Sequence, residues 1–377
     1  MNFNLKTSMM AAFIAAMGFT SCVEEEVIPQ GQEVSQKDKS VRLTISTNVP
    51  STRSEETPAN AQPVDFKGGW LFFTSAQGNI TKVMAITNSA SGATSVDIND
   101  LTQQDGAEIK DVPSHSVKAH VIGNLPNGKT TPTVGADIST IMNNVITVQE
   151  QGNITELTLF GEGNIIPSQA HANQMEAKLI LTPIAARIEV GKMTETGGVI
   201  TSYQVDGIFI NNYYPDALLS GTVNTTEKKL GEQNADANFA GGSTEYPSAL
   251  EGILYDYNAS GIGTAPATGK VWAYNLMAPT SPSGSLSAPH IVVRISNITT
   301  NNGASYTGTW YLTITGLLDG GKAISHLKPA HIYQIKDLKF SHSNLQPKPE
   351  MEPMDVWVEV NLVQWTTVDT GYIFGQL

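Results

Sequence analysis

The sequence predicts an all-β protein with two domains in tandem and a C-terminal strand extension. Three observations carry this. From Gly69 onward, short runs with apolar residues at every second position recur between turn-forming Gly, Pro and Asn, the pattern of sandwich or barrel domains. The 377 residues exceed what one compact core usually holds. Only 15% of them are charged, and Gly alone contributes 33, a composition that suits an extracellular β-protein better than a cytosolic helical one.

The chain opens with a targeting segment. Lys6 supplies a positive flank, and Met9–Phe19 is an apolar run of signal-peptide length, too short to span a bilayer as a helix. Residues 1–21 therefore read as a signal peptide. Cys22, the only cysteine, follows Phe19-Thr20-Ser21 in a manner similar to the lipobox of bacterial lipoproteins, although Phe19 stands where Leu is usual. A plain signal peptide that happens to contain a cysteine is the alternative. With no second cysteine, stability has to come from packing.

Val23–Lys39 is polar and without periodicity and reads as a tether. Val41, Leu43, Ile45, Thr47 and Val49 then alternate with polar residues, as a half-buried strand requires. Pro50 ends the run, and 51–61 is turn-prone. Further strands are predicted at 70–73, 116–123, 156–160, 179–190, 207–210, 271–276, 290–295 and 309–315, with a short helix within 137–145. A break near Thr182-Pro183 divides 54–182 from 183–340. Residues 341–377 form a tail: a proline-rich arm to Pro353, then Met354, Val356, Val358, Val360 and Leu362 alternating with polar residues, and Trp365 beyond.

Charge and motifs exclude several functions. Residues 1–53 hold five basic and five acidic side chains, so the net charge of −13 belongs to the remainder, and no nucleic-acid or anionic-membrane surface is expected. The seven histidines form no HExxH pattern, and neither GxSxG nor a P-loop occurs, so neither an enzyme nor a bound metal or cofactor is expected. Asp97-Ile98-Asn99-Asp100 reads as a solvated turn, since a calcium loop needs a glycine and a terminal glutamate that are missing. Trp70, Trp272, Trp310 and Trp365 lie in strand-like stretches, where core packing is commoner than a sugar platform.

The two ends match each other. Burying four or five alternate apolar side chains from either strand is worth on the order of 6–15 kcal/mol gross. Removing the first strand would bare an association template, which a matching strand on a flexible arm could fill. Of the four arginines, only Arg53 lies in a polar loop, where a trypsin-like protease could cut. An ordinary first strand and an ordinary loop arginine are the alternative reading.

The layout resembles the FimA-type fimbrillins, the type V pilin subunits of Bacteroidales. The resemblance rests on Cys22, the strand ending in Thr52-Arg53, the run Ala185–Val190 (AARIEV), His331–Ile335 (HIYQI) and the ending Val356–Trp365 (VWVEVNLVQW). Pro329-Ala330 and Pro183 depart from the family pattern. The resemblance implies two transthyretin-like β-sandwich domains and an outer-membrane lipoprotein precursor acylated on Cys22. It further implies a propeptide of residues 22–53 that an Arg-specific protease removes by cutting Arg53-Ser54. The first strand (Val41, Leu43, Ile45, Val49) would be displaced. A neighbour's donor strand (Met354, Val356, Val358, Val360, Leu362, Trp365) would replace it in an extracellular fimbrium. The implied partners are other copies or related pilins and the protease, with a host surface or other bacteria as further contacts. A lipid-anchored anchor or tip protein and a surface glycan-binding lipoprotein are the rival readings.

Overall fold

Alternating runs become strands because a period of two puts their apolar side chains on one face. The computed structural model describes residues 38–47, 64, 66–89, 91–103, 105–153, 156–169, 174–223, 236–278, 288–350 and 356–364. The first half carries β1 (Lys39–Thr47), β2 (Gly69–Ser75), β3 (Ile80–Thr87), β4 (Ser95–Asp97), β5 (Ala107–Val112), β6 (Ser116–Gly123), β7 (Val145–Thr147), β8 (Leu159–Asn164), β9 (Ile166–Pro167) and β10 (Met175–Pro183). The second carries β11 (Ala185–Glu195), β12 (Ile200–Asn211), β13 (Asp216–Leu218), β14 (Tyr255–Tyr257), β15 (Trp272–Met277) and β16 (His290–Thr300). After these come β17 (Trp310–Asp319), β18 (Lys322–Ala323), β19 (His331–Phe340), β20 (Val356–Glu359) and β21 (Asn361–Gln364). Helix is confined, among the described residues, to α1 (Ile98–Thr102), α2 (Ser139–Met142) and a few 3-10 turns. The protein is all-β.

Two predicted elements differ in instructive ways. The run 179–190 reads as one strand but divides at Pro183, which has no N–H to continue a ladder. β10 ends there, Ile184 is the only intervening residue, and β11 enters another sheet. The strand expected from Glu156 begins only at Leu159, because the Thr158 N–H donates to Gln151 Oε1 at 3.0 Å instead of to a neighbouring strand. Asp97, in the stretch read as a solvated turn, caps α1: its Oδ1 accepts from the Asn99 N–H at 2.9 Å.

The first half forms a nine-stranded sheet in the order β4-β3-β2-β6-β8-β10-β1-β5, with β9 on β10. The second half forms a four-stranded sheet, β15-β11-β19-β21, and a six-stranded one, β14-β12-β16-β17-β18, with β20 on β17. One large apolar core lies under each half. The first is built on Val41, Leu43, Leu71, Val121, Leu159 and Leu181, the second on Ile188, Phe209, Trp272, Val293, Tyr311 and Ile335. A smaller cluster containing Phe72, Ile146, Ile184, Tyr214 and Met277 draws on both halves, as does the two-stranded pairing of β7 with β13.

Polar groups also cross between the halves. Arg187 and Glu189, two apart on β11 and both buried, form an ion pair at 2.8 Å. Gln334 donates to Glu189 at 2.9 Å, and Arg187 to Asn275 Oδ1 at 3.4 Å. The Asn275 amide in turn donates to the Gln151 carbonyl at 3.0 Å. Buried charges survive only with such partners, so this network fixes how β11 is seated.

Candidate functional site

β1 is an interior strand. On one side it runs parallel to β10, in register from Val41↔Met175 to Thr47↔Leu181. On the other it is antiparallel to β5, with Val41↔Ile109 and Leu43↔Ala107. Its alternate residues Val41, Leu43 and Ile45 are no more than 1% exposed and belong to the first core.

The outer face of β1 is polar and tied down. Ser40 donates to Glu108 Oε1 at 2.7 Å, and Arg42 donates to the Asp105 carbonyl at 2.9 Å. At the start of the strand, in line with the core-facing residues, Lys39 Nζ donates to the carbonyls of Ser114 and Ser116, and partial burial lowers its pKa from the ordinary lysine value. The turn into β5 crosses over β1 so closely that only glycine fits. A Cβ at Gly106 would stand 2.2 Å from the Leu43 carbonyl oxygen, and its φ of +61° is a left-handed conformation.

Taking β1 away would therefore leave a slot, not a single open edge. β10 and β5 would each lose a hydrogen-bonding neighbour, and the pockets of Val41, Leu43 and Ile45 would lie open between them. Cys22, Val49, Arg53 and Ser54 fall outside the described residues. The chain re-enters the first core at Val64, which is 6% exposed.

The C-terminal segment pairs with its own second half. β20 runs parallel to β17, from Ile314↔Val356 to Leu318↔Glu359. β21 is antiparallel to β19, from His331↔Gln364 to Gln334↔Asn361. Between them the Val360 N–H donates to the Leu318 carbonyl at 2.8 Å. Val358 and Val360 are buried in the second core. Val356 and Leu362 are placed by their backbone alone, while Met354 and Trp365 lie outside the described residues.

The proline-rich arm is packed as well. Gln346 makes a reciprocal backbone pair with Tyr311, Leu345 is buried, and Glu350 is buried with a left-handed φ of +56°. Glu350 accepts from Asn211 and lies 2.6 Å from His290 Nε2, beside a Tyr246 hydroxyl that donates to Asn211 Oδ1 at 2.8 Å. The sequence predicts an extended, unpacked arm; instead its described part opens with a 3-10 turn at His342–Asn344, is held by Gln346 before Pro347, and turns at the buried Glu350 after Pro349.

No family model matches this sequence, and no curated protein does. Solved structures match in fold. A fimbrilin from Porphyromonas gingivalis W83 superposes at a TM-score of 0.57 with 14% identity, covering 88% of this chain and 98% of that one. Proteins assigned to cell adhesion from Bacteroides eggerthii and Parabacteroides distasonis each superpose at 0.51. Their identities are 14% and 12%, covering 89% and 88% of this chain and 98% and 100% of theirs.

The chain has the fimbrilin fold. At such identities the likeness is one of backbone path, and the roles of individual residues have to come from the contacts above. Within this fimbrilin fold, sequence reasoning found the buried face of β1 and the alternation of the C-terminal segment. It missed β5 as a second neighbour of β1, the His290–Glu350 pair, and the cis pairing of β20 and β21. Gly106, following Asp105, was the one local signal of the β5 crossing, since Asp-Gly marks a tight turn.

Proposed function

We propose that this chain is a structural subunit of a surface fimbrium and that it polymerises by strand exchange. It would be exported as a lipoprotein acylated on Cys22 and cut after Arg53 by an Arg-specific protease. β1 would then leave its sheet, and the C-terminal strand of another copy or a related pilin would enter the vacated slot. Adhesion to a host surface or to other bacteria would follow from the fibre, and no catalysis is required. The observation that supports this best is the position of β1. A nine-residue strand with three fully buried side chains stands between two neighbours and ends where the polar segment containing Arg53 begins. Strand addition to such a slot gives affinity through the main chain and specificity through alternate side chains.

The experiment is to sequence the N-terminus of protein taken from the cell surface by mass spectrometry and to run the same material undenatured on a gel. A start at Ser54 in a ladder of large species is expected. A lipidated start at Cys22 with no ladder would overturn the exchange reading. One observation favours a second reading in that event. The C-terminal segment is already paired within its own chain, as it would be in an anchor or tip protein that donates no strand.

A further inference from the structure

The tryptophans of the strand runs do not share one environment. Trp272 is a core residue at 1% exposure, and Trp310 packs edge-on against Tyr306 with ring centroids 4.6 Å apart. Trp70 is different. It is half-buried on β2 and lines an open cleft of about 530 Å³ together with Lys67, Asn124, Asn127, Glu150 and Glu156. No hydrogen bond ties its indole N–H among the described residues.

We propose that this cleft binds a neutral saccharide. Three features select that class. The first is the flat apolar face of Trp70, beside donors and acceptors in one concavity, which matches the apolar face and hydroxyl rim of a pyranose ring. The second is charge. Glu156 is paired with Lys67 at 2.6 Å and Glu150 with Lys129 at 2.8 Å, so among the described residues the cleft has no uncompensated charge to attract an ion.

The third feature is the lack of a free strand edge. Trp70 pairs with Ala85 of β3 on one side and Ile122 of β6 on the other, so a peptide finds no main-chain ladder to join. What remains is side-chain recognition of hydroxyl groups. The cleft is already shaped without a ligand: Asn124, with a left-handed φ of +52°, accepts from the Lys67 N–H at 2.9 Å and donates to the Leu157 carbonyl at 3.2 Å. Asn127 is exposed at the rim, and no hydrogen bond holds its amide among the described residues. This site is independent of strand exchange, because neither β1 nor the C-terminal strands line it.

The test is saturation-transfer NMR on the full chain with lactose, maltose and N,N′-diacetylchitobiose. At least one disaccharide is expected to receive saturation on its ring C–H protons. Trp70→Ala should weaken that binding about tenfold, and Asn127→Ala about threefold, with Trp70→Phe close to the parent because a flat ring remains. Asn127 is exposed and has no hydrogen bond to lose among the described residues, so its variant guards against misfolding as an explanation, and melting curves check all three. Affinity should not change between about 50 mM and about 500 mM salt, as for an uncharged ligand. The proposal is overturned by no transfer to any of the three sugars, by equal transfer to parent and Trp70→Ala, or by an affinity that falls with salt.

Discussion

Leu43→Ala tests the seat of β1 most directly. Leu43 is fully buried at the centre of the strand, with Val41 and Ile45 flanking it on the same face. Truncating a buried Leu costs about 2–5 kcal/mol, the spread reflecting how far the site collapses. In the intact chain this lowers stability by that amount. Once the chain is nicked at Arg53, β1 is held only by non-covalent contacts, and burial of its three aliphatic side chains is worth roughly 5–9 kcal/mol gross. Losing about 2–5 kcal/mol of that weakens retention of the fragment by about 30-fold to about 4,000-fold. The assay nicks parent and variant by limited trypsin digestion, then follows the N-terminal fragment by size exclusion and mass spectrometry across a urea series. The parent should keep its fragment in buffer and the variant should release it at lower urea. Thr44→Ala, on the half-buried outer face, should behave like the parent. If parent and Leu43→Ala released the fragment at the same urea concentration, β1 would not be held by these pockets.

Four further outcomes follow from other features of the structure. Burial holds His120 neutral, with its pKa pushed down to about 4, while the nearby Glu162 carboxylate opposes that and Lys118 adds to it. Stability is then complete above the ordinary histidine value and falls by up to about 3 kcal/mol as pH drops from 6.5 toward 4; urea melts should show this slope, and a His120→Gln variant should flatten it. Glu189→Leu removes the carboxylate that balances the buried Arg187 charge and should cost about 3–5 kcal/mol by urea denaturation, more than the same change at the exposed Glu108. Gly106→Ala should destabilise the chain by more than 1 kcal/mol, roughly the cost of a strained backbone alone, because its Cβ also meets the Leu43 carbonyl. Paired cysteines at Leu317 and Val358, which are in register across β17 and β20, should form a disulfide that holds the tail in place. On the proposed reading that variant assembles only after reduction; fibres formed under oxidising conditions would count against exchange through this segment.

What the sequence disclosed and what it hid have separate physical causes. Alternation is local, so β1, β6, β16 and β17 were legible from their own residues. Pairing is not local. Nothing near Val41 indicates that its parallel partner is Met175, or that β5 closes the other side. The AARIEV run drew attention to Arg187, yet charges at alternate positions ordinarily point to water, and here they point into a buried network with Gln334 and Asn275. Glu350 was hidden for a similar reason. A glutamate between prolines reads as solvated, and only the approach of His290, sixty residues earlier, makes it a buried anchor. Trp70 and Trp272 look alike in sequence, and only the fold within each half makes Trp272 a core residue and leaves Trp70 facing a cleft.

The unequal settings of the two end strands bear on why exchange would proceed at all. β1 has a neighbour on each side and presents its three apolar residues to one continuous core. The C-terminal segment is divided into two four-residue strands that belong to different sheets, each paired on one side among the described residues. Val358 and Val360 are buried at home, but the ladder is interrupted at Val360, where the chain crosses from one sheet to the other. In the slot left by β1 the same residues would form one uninterrupted strand with main-chain bonds to both β10 and β5. The gain on transfer comes from that second set of bonds and from continuity, while the burial of two valines is lost in one place and recovered in another. On the proposed reading, home pairing need only be good enough to keep the segment from associating before β1 departs, and two short one-sided strands meet that requirement without trapping it.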